Sequence, residues 1–212
     1  MSQTLLAALQ AMLGPGAGVG LAEVSGTEGA FDEELHAVRR AIPKRRAEFA
    51  AGRRAARAAL RALGRPEVAI PAGDDRAPQW PEGIRGAITH DGGLALAAVT
   101  AKGGIGIDLT EAAPLPGDTR RAILPHDSEQ GFDALSERAG FSAKESLFKA
   151  LYPFVETYFG FSAARVHPAH AAGSFRIALT ESLGPFPAGQ AWTGRILVQD
   201  GRLLTALSLA KD

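Results

Sequence analysis

The spacing of apolar residues changes several times along the chain and separates helical from extended segments. An apolar period near 3.6 residues predicts a short helix over residues 5–13, a long helical region over 34–63 and another over 141–159. Pro43 is expected to split the long region into two helices, and Pro153 to end the regular part of the last one.

Extended segments are predicted between and after these helices, with tight turns at His90-Asp91-Gly92-Gly93 and Asp200-Gly201. A weak helix is predicted over 118–124. The predicted strands cover residues 18–24, 84–89, 94–101, 105–109, 175–179, 193–199 and 203–209. Because helix followed by sheet occurs twice, the pattern predicts an α+β fold made of two α+β subdomains, residues 1–103 and 104–212.

Composition narrows the possible chemistry. The 212 residues contain no cysteine, which excludes disulfides, thiolate metal sites and thiol nucleophiles. Apolar stretches are interrupted well before 18 residues, so we expect a cytoplasmic protein with no membrane span. Lys and Arg number 23, as do Asp and Glu, and aromatic residues make up 7%. A nucleic-acid-binding module is therefore not favoured, because such modules rely on a cationic field and stacking aromatics.

Residues 104–111 form an apolar strand pattern that ends in acidic residues. Asp108 follows Gly104-Ile105-Gly106-Ile107, where two glycines leave the backbone free of side chains. A carboxylate at a strand end is a common ligand for Mg²⁺, which takes one or two carboxylates together with substrate phosphates. The alternative is a strand end followed by a simple turn.

A second segment, residues 141–149, combines charge with helical spacing. Ser142 and Glu145 match a capping box, and Glu145 and Lys149 form a favourable i,i+4 pair, so a purely structural explanation exists for each. The same pattern would place Lys144, Glu145 and Lys149 in the first two turns of a helix. A carboxylate and two ammonium groups at a helix N-terminus suit a metal–phosphate complex.

Further polar groups lie in the N-terminal half. His90 can donate to a phosphate at the end of a strand and Thr89 can add a hydroxyl, although a lone histidine is often only solvated. Arg46, Arg53 and Arg57 form one stripe on the long helix, for which the alternative is a solvated basic face. His167 and His170 are interpreted as structural, since a proline lies between them.

Taken in order, these segments resemble one family, the 4′-phosphopantetheinyl transferases of the surfactin and enterobactin synthetase type. The resemblance covers about residues 34–149 and is specific because several motifs occur in register. The motifs are Lys44-Arg45-Arg46-Ala47-Glu48-Phe49 with Gly52-Arg53 and Ala56, then residues 76–81, Gly86 to His90, Gly106 to Asp108, and Phe141 to Lys149.

The resemblance implies a reaction, a fold and partners. The phosphopantetheine arm of coenzyme A would be transferred, with Mg²⁺, to a serine of an acyl or peptidyl carrier protein, releasing adenosine 3′,5′-bisphosphate. The family fold is a pseudo-twofold pair of α+β subdomains in one chain with coenzyme A in the cleft between them. A monomer is expected.

The resemblance also implies roles for the acidic and pyrophosphate-binding residues. Asp108 and Glu145 would be Mg²⁺ ligands, and Lys149 would contact the pyrophosphate and steady the leaving group. His90 would be a second pyrophosphate contact, with Lys144 nearby. The general base would be Glu145 or a water on the metal, and we favour Glu145.

By the same resemblance, the adenine end and the 3′-phosphate of coenzyme A would be held by arginines. Arg53 and Arg76 are the main candidates and Arg46 a weaker one. Guanidinium groups suit a phosphate monoester because they bind it in a bidentate way.

The sequence departs from the family pattern at one metal position. The usual Asp-x-Glu is replaced by Asp108-Leu109-Thr110, with a carboxylate displaced to Glu111. Glu111 can serve as a ligand only if the strand has ended before it; otherwise Mg²⁺ takes a water. An active transferase is the favoured hypothesis, and a degenerate coenzyme A-binding protein with little transferase activity is the alternative.

Overall fold

Antiparallel strands and long helices make this an α+β protein, described in the computed structural model over residues 2–209. The chain separates into two units, Met1–Gly103 and Gly104–Asp212. Each unit packs a sheet against one long helix. Among the described residues, no helix has the length and apolar character needed to cross a membrane.

The first unit is a three-stranded sheet with two helices of more than two turns. Its elements are α1 Ser2–Leu13, β1 Ala17–Glu23, α2 Asp32–Leu35, a 3₁₀ turn His36–Val38, α3 Pro43–Ala62, β2 Arg85–Asp91 and β3 Leu94–Thr100. The strand order is β1-β3-β2, and both pairings are antiparallel. The core lies between α3 and the sheet.

Helix α3 begins where proline is best tolerated. Pro43 occupies the first turn of the helix, so the predicted split of the long helical region is confirmed. Strand β1 packs closely on this helix, since a Cβ added at Gly20 would collide with the main chain of Ala55 and Ala59. A glycine here lets the helix approach the sheet, and small alanines continue that contact on α3.

A buried glutamate joins the parts of the first unit. The Glu34 side chain is fully buried and forms an ion pair with Arg57 of α3. It also accepts main-chain hydrogen bonds from Ile70 N (3.0 Å) and Phe31 N (2.9 Å). Arg57 is thus a structural residue, because its charge is compensated inside the unit.

The second unit is a five-stranded antiparallel sheet covered by one long helix. Its elements are β4 Ile105–Glu111, α4 Arg120–Ile123, a 3₁₀ turn Asp127–Glu129, α5 Ala134–Val155, a 3₁₀ turn Phe161–Ala163, β5 Ala164–Ala169, a 3₁₀ turn His170–Ala172, β6 Ser174–Leu179, β7 Ala191–Gln199 and β8 Arg202–Ser208. The strand order is β4-β8-β7-β6-β5. Strand β5 was not predicted from the sequence.

The start of α5 corrects the sequence-based prediction. The helix begins at Ala134 rather than at residue 141, and Asp133 caps it by accepting a hydrogen bond from Ser136 N (2.7 Å). Ser142 and Glu145 therefore lie in mid-helix, and the predicted capping box is wrong. Pro153 lies inside the helix and does not end it.

Candidate active site

Asp108 of β4 lies beneath helix α5 in the second unit. The helix crosses β4 so closely that a Cβ at Gly106 would collide with the main-chain oxygen of Ser146. Because side chains two residues apart share a face of a strand, Asp108 points to the same side as Gly106, towards α5. Asp108 is 7% exposed, so its carboxylate is largely removed from water.

Both oxygens of the Asp108 carboxylate accept hydrogen bonds from α5. Lys149 Nζ lies 2.8 Å from Oδ1 and also donates to the main-chain oxygen of Ile107 at 3.1 Å. Ser142 Oγ donates to Oδ2 at 2.9 Å. The helix thus presents a cation and a hydroxyl, seven residues apart, to one buried carboxylate.

Glu145 lies on the same helix, between those two donors in sequence. Burial raises the pKa of its carboxyl group; the Lys149 ammonium opposes this shift and the Asp108 carboxylate adds to it. Within residues 2–209, the Glu145 side chain is in no hydrogen bond or ion pair. The structure therefore brings Asp108, Glu145 and Lys149 together, and Glu145 is a carboxylate available to a ligand.

Lys144 has a different position from the one expected. Its ammonium pairs with the buried carboxylate of Glu129 (2.8 Å) and donates to the main-chain oxygens of Ile123 (3.0 Å) and Phe161 (3.1 Å). All three of its protons are thus used within the unit. Burial lowers the pKa of Lys144, and Glu129 offsets part of that shift. The structure gives Lys144 a structural role, in place of the expected pyrophosphate contact.

Glu129 holds this lysine much as Glu34 holds an arginine in the first unit. Its side chain is fully buried and accepts from Val166 N (3.0 Å) and His126 N (3.2 Å). The same arrangement of one glutamate, one helix cation and two main-chain N–H groups therefore occurs in each unit.

The length of strand β4 determines which way Thr110 and Glu111 point, the two residues at which the sequence departs from the family pattern. The strand continues to Glu111, which pairs with Arg202 of β8 in register. Alternation places Thr110 on the face of Asp108 and the exposed Glu111 on the opposite face. The structure therefore contradicts Glu111 as a ligand of a cation held by Asp108, because the strand has not ended before it.

An apolar cavity of about 140 Å³ opens beside Glu145. Lys144 and Glu145 supply its charged groups, and the side chains of Phe148, Tyr158 and Phe159 form much of its wall. The aromatic rings also contact one another, with the Phe148 and Phe159 centroids 5.0 Å apart. The cavity suits a narrow, mostly uncharged chain with one polar end near Glu145.

In the first unit, two arginines of α3 have buried nitrogen atoms without hydrogen-bond partners among residues 2–209. These atoms are Nε of Arg46 and Nε of Arg53. The Arg53 guanidinium stacks on the Phe49 ring at 4.1 Å, and burial lowers the pKa of Arg53 to about 10, partly opposed by Glu34. Arg53 is thus still charged at neutral pH, and an unsatisfied buried donor favours an anionic ligand.

His90 lies in strand β2, not in the predicted turn, which is limited to Gly92-Gly93. Its Nε2 is 3.0 Å from Nη1 of Arg45 on α3. Alternation places the buried Thr89 on the other face of the strand, so the structure does not bring Thr89 and His90 to one ligand. Arg45 was not singled out from the sequence, where it is only one of two adjacent arginines.

Arg76 occupies a strained turn in the same unit. It is exposed, and its φ of 68° lies in the left-handed region that arginine rarely adopts. Its main-chain N donates to Gly73 O (2.8 Å), and an isolated bridge joins Ala72 to Pro78 around the turn. A strained non-glycine residue in a structured loop favours a functional position.

In the part of the chain that the structure describes, no cluster of three His, Cys, Asp or Glu side chains could hold a metal ion. The two carboxylates of Asp108 and Glu145 stand beside the Lys149 ammonium instead. This combination is typical of enzymes that handle a phosphate ester together with Mg²⁺, since Mg²⁺ is often held by one or two carboxylates and the substrate's own phosphates.

Comparisons with known proteins define the class further. Residues 33–100 match the family model of the 4′-phosphopantetheinyl transferase N-terminal domain. The chain is 37% identical over 194 residues to 4′-phosphopantetheinyl transferase Svp of Streptomyces mobaraensis, covering 85% of this chain and 78% of that protein. It is 35% identical over 202 residues to 4′-phosphopantetheinyl transferase Npt of Nocardia iowensis, covering 85% and 90%.

A further relative is enterobactin synthase component D of Salmonella typhi, 38% identical over 139 residues, covering 61% of this chain and 57% of that protein. The chain therefore belongs to the 4′-phosphopantetheinyl transferase family and is an enzyme of that type. The predicted family is confirmed.

Proposed function

We propose that this protein transfers the 4′-phosphopantetheine group of coenzyme A to a serine of an apo acyl or peptidyl carrier protein, with Mg²⁺. The observation that carries the proposal is the cluster on β4 and α5, where Asp108 is fixed by Lys149 and Glu145 stands beside them. Family membership supplies the reaction type.

The donor set fits Mg²⁺. Asp108 and Glu145 would hold the ion through hard carboxylate oxygens, which Mg²⁺ prefers, together with oxygens of water and of the substrate phosphates. Burial, together with the nearby Asp108 carboxylate, raises the pKa of Glu145. A divalent cation would reverse this shift because it compensates the negative charges of both carboxylates. When bound, the ion would neutralise negative charge on the pyrophosphate.

The chain's own residues then position the reaction. Lys149 donates to the phosphoryl oxygens of the pyrophosphate, to which it brings a positive charge. Glu145 accepts the proton of the carrier serine hydroxyl, whose oxygen forms the new bond to phosphorus. The bond from that phosphorus to the bridging oxygen breaks, and adenosine 3′,5′-bisphosphate leaves. Glu145 suits this role by its position, since it lies beside Asp108 and Lys149.

The first unit supplies contacts to the nucleotide end of coenzyme A. Arg53 and Arg46 offer buried N–H donors, which suit the 3′-phosphate. Arg76 adds a third guanidinium from its strained turn. His90 and Arg45 are proposed as contacts to the pyrophosphate. Their side chains meet at 3.0 Å, where Arg45 Nη1 donates to His90 Nε2, and the other N–H groups of Arg45 can donate to phosphate oxygens.

The cavity beside Glu145 is proposed to hold the pantetheine arm. That arm is a thin chain with amide groups, and the aromatic wall formed by Phe148, Tyr158 and Phe159 would cover it. Its position next to Glu145 is consistent with a phosphate end at the carboxylates.

The decisive experiment is mass spectrometry of an apo carrier protein incubated with coenzyme A and Mg²⁺. The carrier serine should gain one phosphopantetheine. Asp108→Asn and Glu145→Gln should abolish most of this activity, whereas the control Glu111→Gln, on the opposite face of β4, should keep it. Unchanged rates in Asp108→Asn and Glu145→Gln would contradict the proposed site.

A second candidate function is coenzyme A binding with little transfer. It is favoured by Thr110, which puts a neutral hydroxyl on the Asp108 face where the family has a carboxylate. In that case coenzyme A would still raise the unfolding temperature, but no carrier among several unrelated ones would be modified.

A further inference from the structure

Three buried hydroxyl groups lie where helix α5 crosses strands β4 and β8. Ser142, Ser146 and Thr205 are all fully buried. Thr205 Oγ1 lies 2.9 Å from Ser142 Oγ and 2.7 Å from Ser146 Oγ. Ser142 Oγ is in turn 2.9 Å from Oδ2 of Asp108. The hydroxyls thus form a continuous chain that ends on the carboxylate.

The donor and acceptor properties of these groups fix the direction of the hydrogen bonds between them. Each hydroxyl has one proton to donate, and an ionised carboxylate can only accept. Ser142 therefore donates its proton to Asp108. Thr205 then donates to Ser142, through either Oγ or the main-chain oxygen, both at 2.9 Å. Ser146 can donate to Thr205. Hydrogen bonds aligned in this way polarise one another and strengthen the last one in the chain.

The strand register places Thr205 directly opposite Asp108. The two residues are paired partners of β8 and β4, so their side chains emerge on the same face, beneath α5. Thr205 therefore contacts the helix at the point where Asp108 contacts it. The hydroxyl chain fixes Oδ2, while Lys149 contacts the other oxygen, Oδ1.

We propose that Thr205 is a positioning residue for the Mg²⁺ site, acting through Ser142 to fix the orientation of the Asp108 carboxylate. The proposal rests on the proposed function, in which Asp108 is a Mg²⁺ ligand. With Thr110 in place of a carboxylate, the site has few charged ligands, so the orientation of Asp108 decides a large share of the cation affinity. Groups that orient a ligand in this way commonly change metal affinity by about 10–100-fold when removed.

The test is calorimetric titration of Mg²⁺ into the protein saturated with coenzyme A, without carrier, so that no turnover is needed. Thr205→Val removes the hydroxyl at nearly constant volume and should weaken Mg²⁺ binding about tenfold, the lower end of that range because Thr205 acts through Ser142. Thr205→Ser keeps the hydroxyl and should restore the wild-type affinity. The unfolding midpoint of each variant is measured in parallel.

The matched control is Thr100→Val in the first unit. Thr100 is also a buried threonine, with its hydroxyl bonded to the main-chain oxygen of Lys102 (3.0 Å). This variant should lose stability without losing Mg²⁺ affinity. Wild-type Mg²⁺ affinity in Thr205→Val, or an equal loss of affinity in Thr100→Val, would overturn the proposal.

Two more variants distinguish a failure of the proposed Mg²⁺ site from a failure of the proposed role of Thr205. If Thr205→Val does not fold, Ser142→Ala takes its place, since it removes the link to Asp108; an unchanged Mg²⁺ affinity in that variant overturns the proposal. Asp108→Asn tests the underlying site. If Asp108→Asn binds Mg²⁺ as the wild type does, the proposed metal site fails; if it loses Mg²⁺ and Thr205→Val does not, only the role of Thr205 fails.

Discussion

The buried ion pair between Lys144 and Glu129 gives the sharpest test of the structure, because sequence and structure assign Lys144 different roles. The lysine side chain is 2% exposed and the glutamate fully buried. Glu129→Gln removes the negative charge and one of the two oxygens, which accept from Val166 N (Oε1) and His126 N (Oε2), so the Lys144 ammonium is left without a counter-charge. An uncompensated buried charge costs about 3–5 kcal/mol.

That loss is a large fraction of the whole stability of a typical domain, which is about 5–15 kcal/mol. Glu129→Gln and Lys144→Met should therefore each lower the free energy of unfolding, measured by urea denaturation, by about 3–5 kcal/mol. The double variant has no uncompensated charge and should lose less than the sum of the single variants. A coupling of about 2–3 kcal/mol is expected.

The matched control is Lys44→Met. Lys44 is 82% exposed and lies 4.0 Å from Glu48, so its loss should cost less than about 1 kcal/mol. The KM for coenzyme A is measured for every variant that folds. A Lys144→Met protein with wild-type stability and a raised KM would refute the structural role and support the phosphate contact that the sequence predicted.

Three other predictions concern the proposed ligand contacts. Burial raises the pKa of Glu145 in the folded protein, so its ionised form costs stability at pH 7; Glu145→Gln should match or exceed wild-type stability there, and the difference should vanish as the pH falls towards about 4.3, the ordinary glutamate pKa. Urea unfolding at several pH values checks this, and a less stable Glu145→Gln protein at pH 7 contradicts it. Arg53→Ala should raise the KM for coenzyme A about 10–100-fold, as expected for about 1.5–3 kcal/mol, but not that for its 3′-dephospho form; equal effects on both would exclude the 3′-phosphate contact. Thr110→Glu should lower the Mg²⁺ concentration needed for half-maximal activity because it adds a carboxylate on the Asp108 face, whereas Glu111→Ala should leave it unchanged; the reverse pattern would mean that Glu111 is the ligand.

Much of the fold follows from local features of the sequence. Turns at Gly92-Gly93 and at Asp200-Gly201 need positive φ angles, which glycine adopts freely, and all four residues have them in the structure. Pro43 fixed the start of α3 for an equally local reason. The ordered motifs between residues 34 and 149 were also sufficient to predict the family, which the comparisons confirm.

Only the tertiary structure decides which charged side chains are free to contact a ligand and which are paired inside the protein. Lys144 and Lys149 lie on one helix and look equivalent in the sequence, yet one ammonium is enclosed by Glu129 and two carbonyls while the other reaches Asp108. Glu129 and Asp108 belong to other elements, so the spacing on the helix does not reveal them. The start of α5 was missed because its Asp133 cap precedes the motif by several residues.

Other site residues also owe their position to a neighbouring strand or helix. The continuation of β4 through its pairing with β8 turned Glu111 away from Asp108 and placed Thr205 opposite it. His90 met Arg45 because α3 packs over β2. Sequence determines what depends on adjacent residues, namely period, turns and caps. Burial and polar partners depend on elements far apart in the chain, so only their packing decides them.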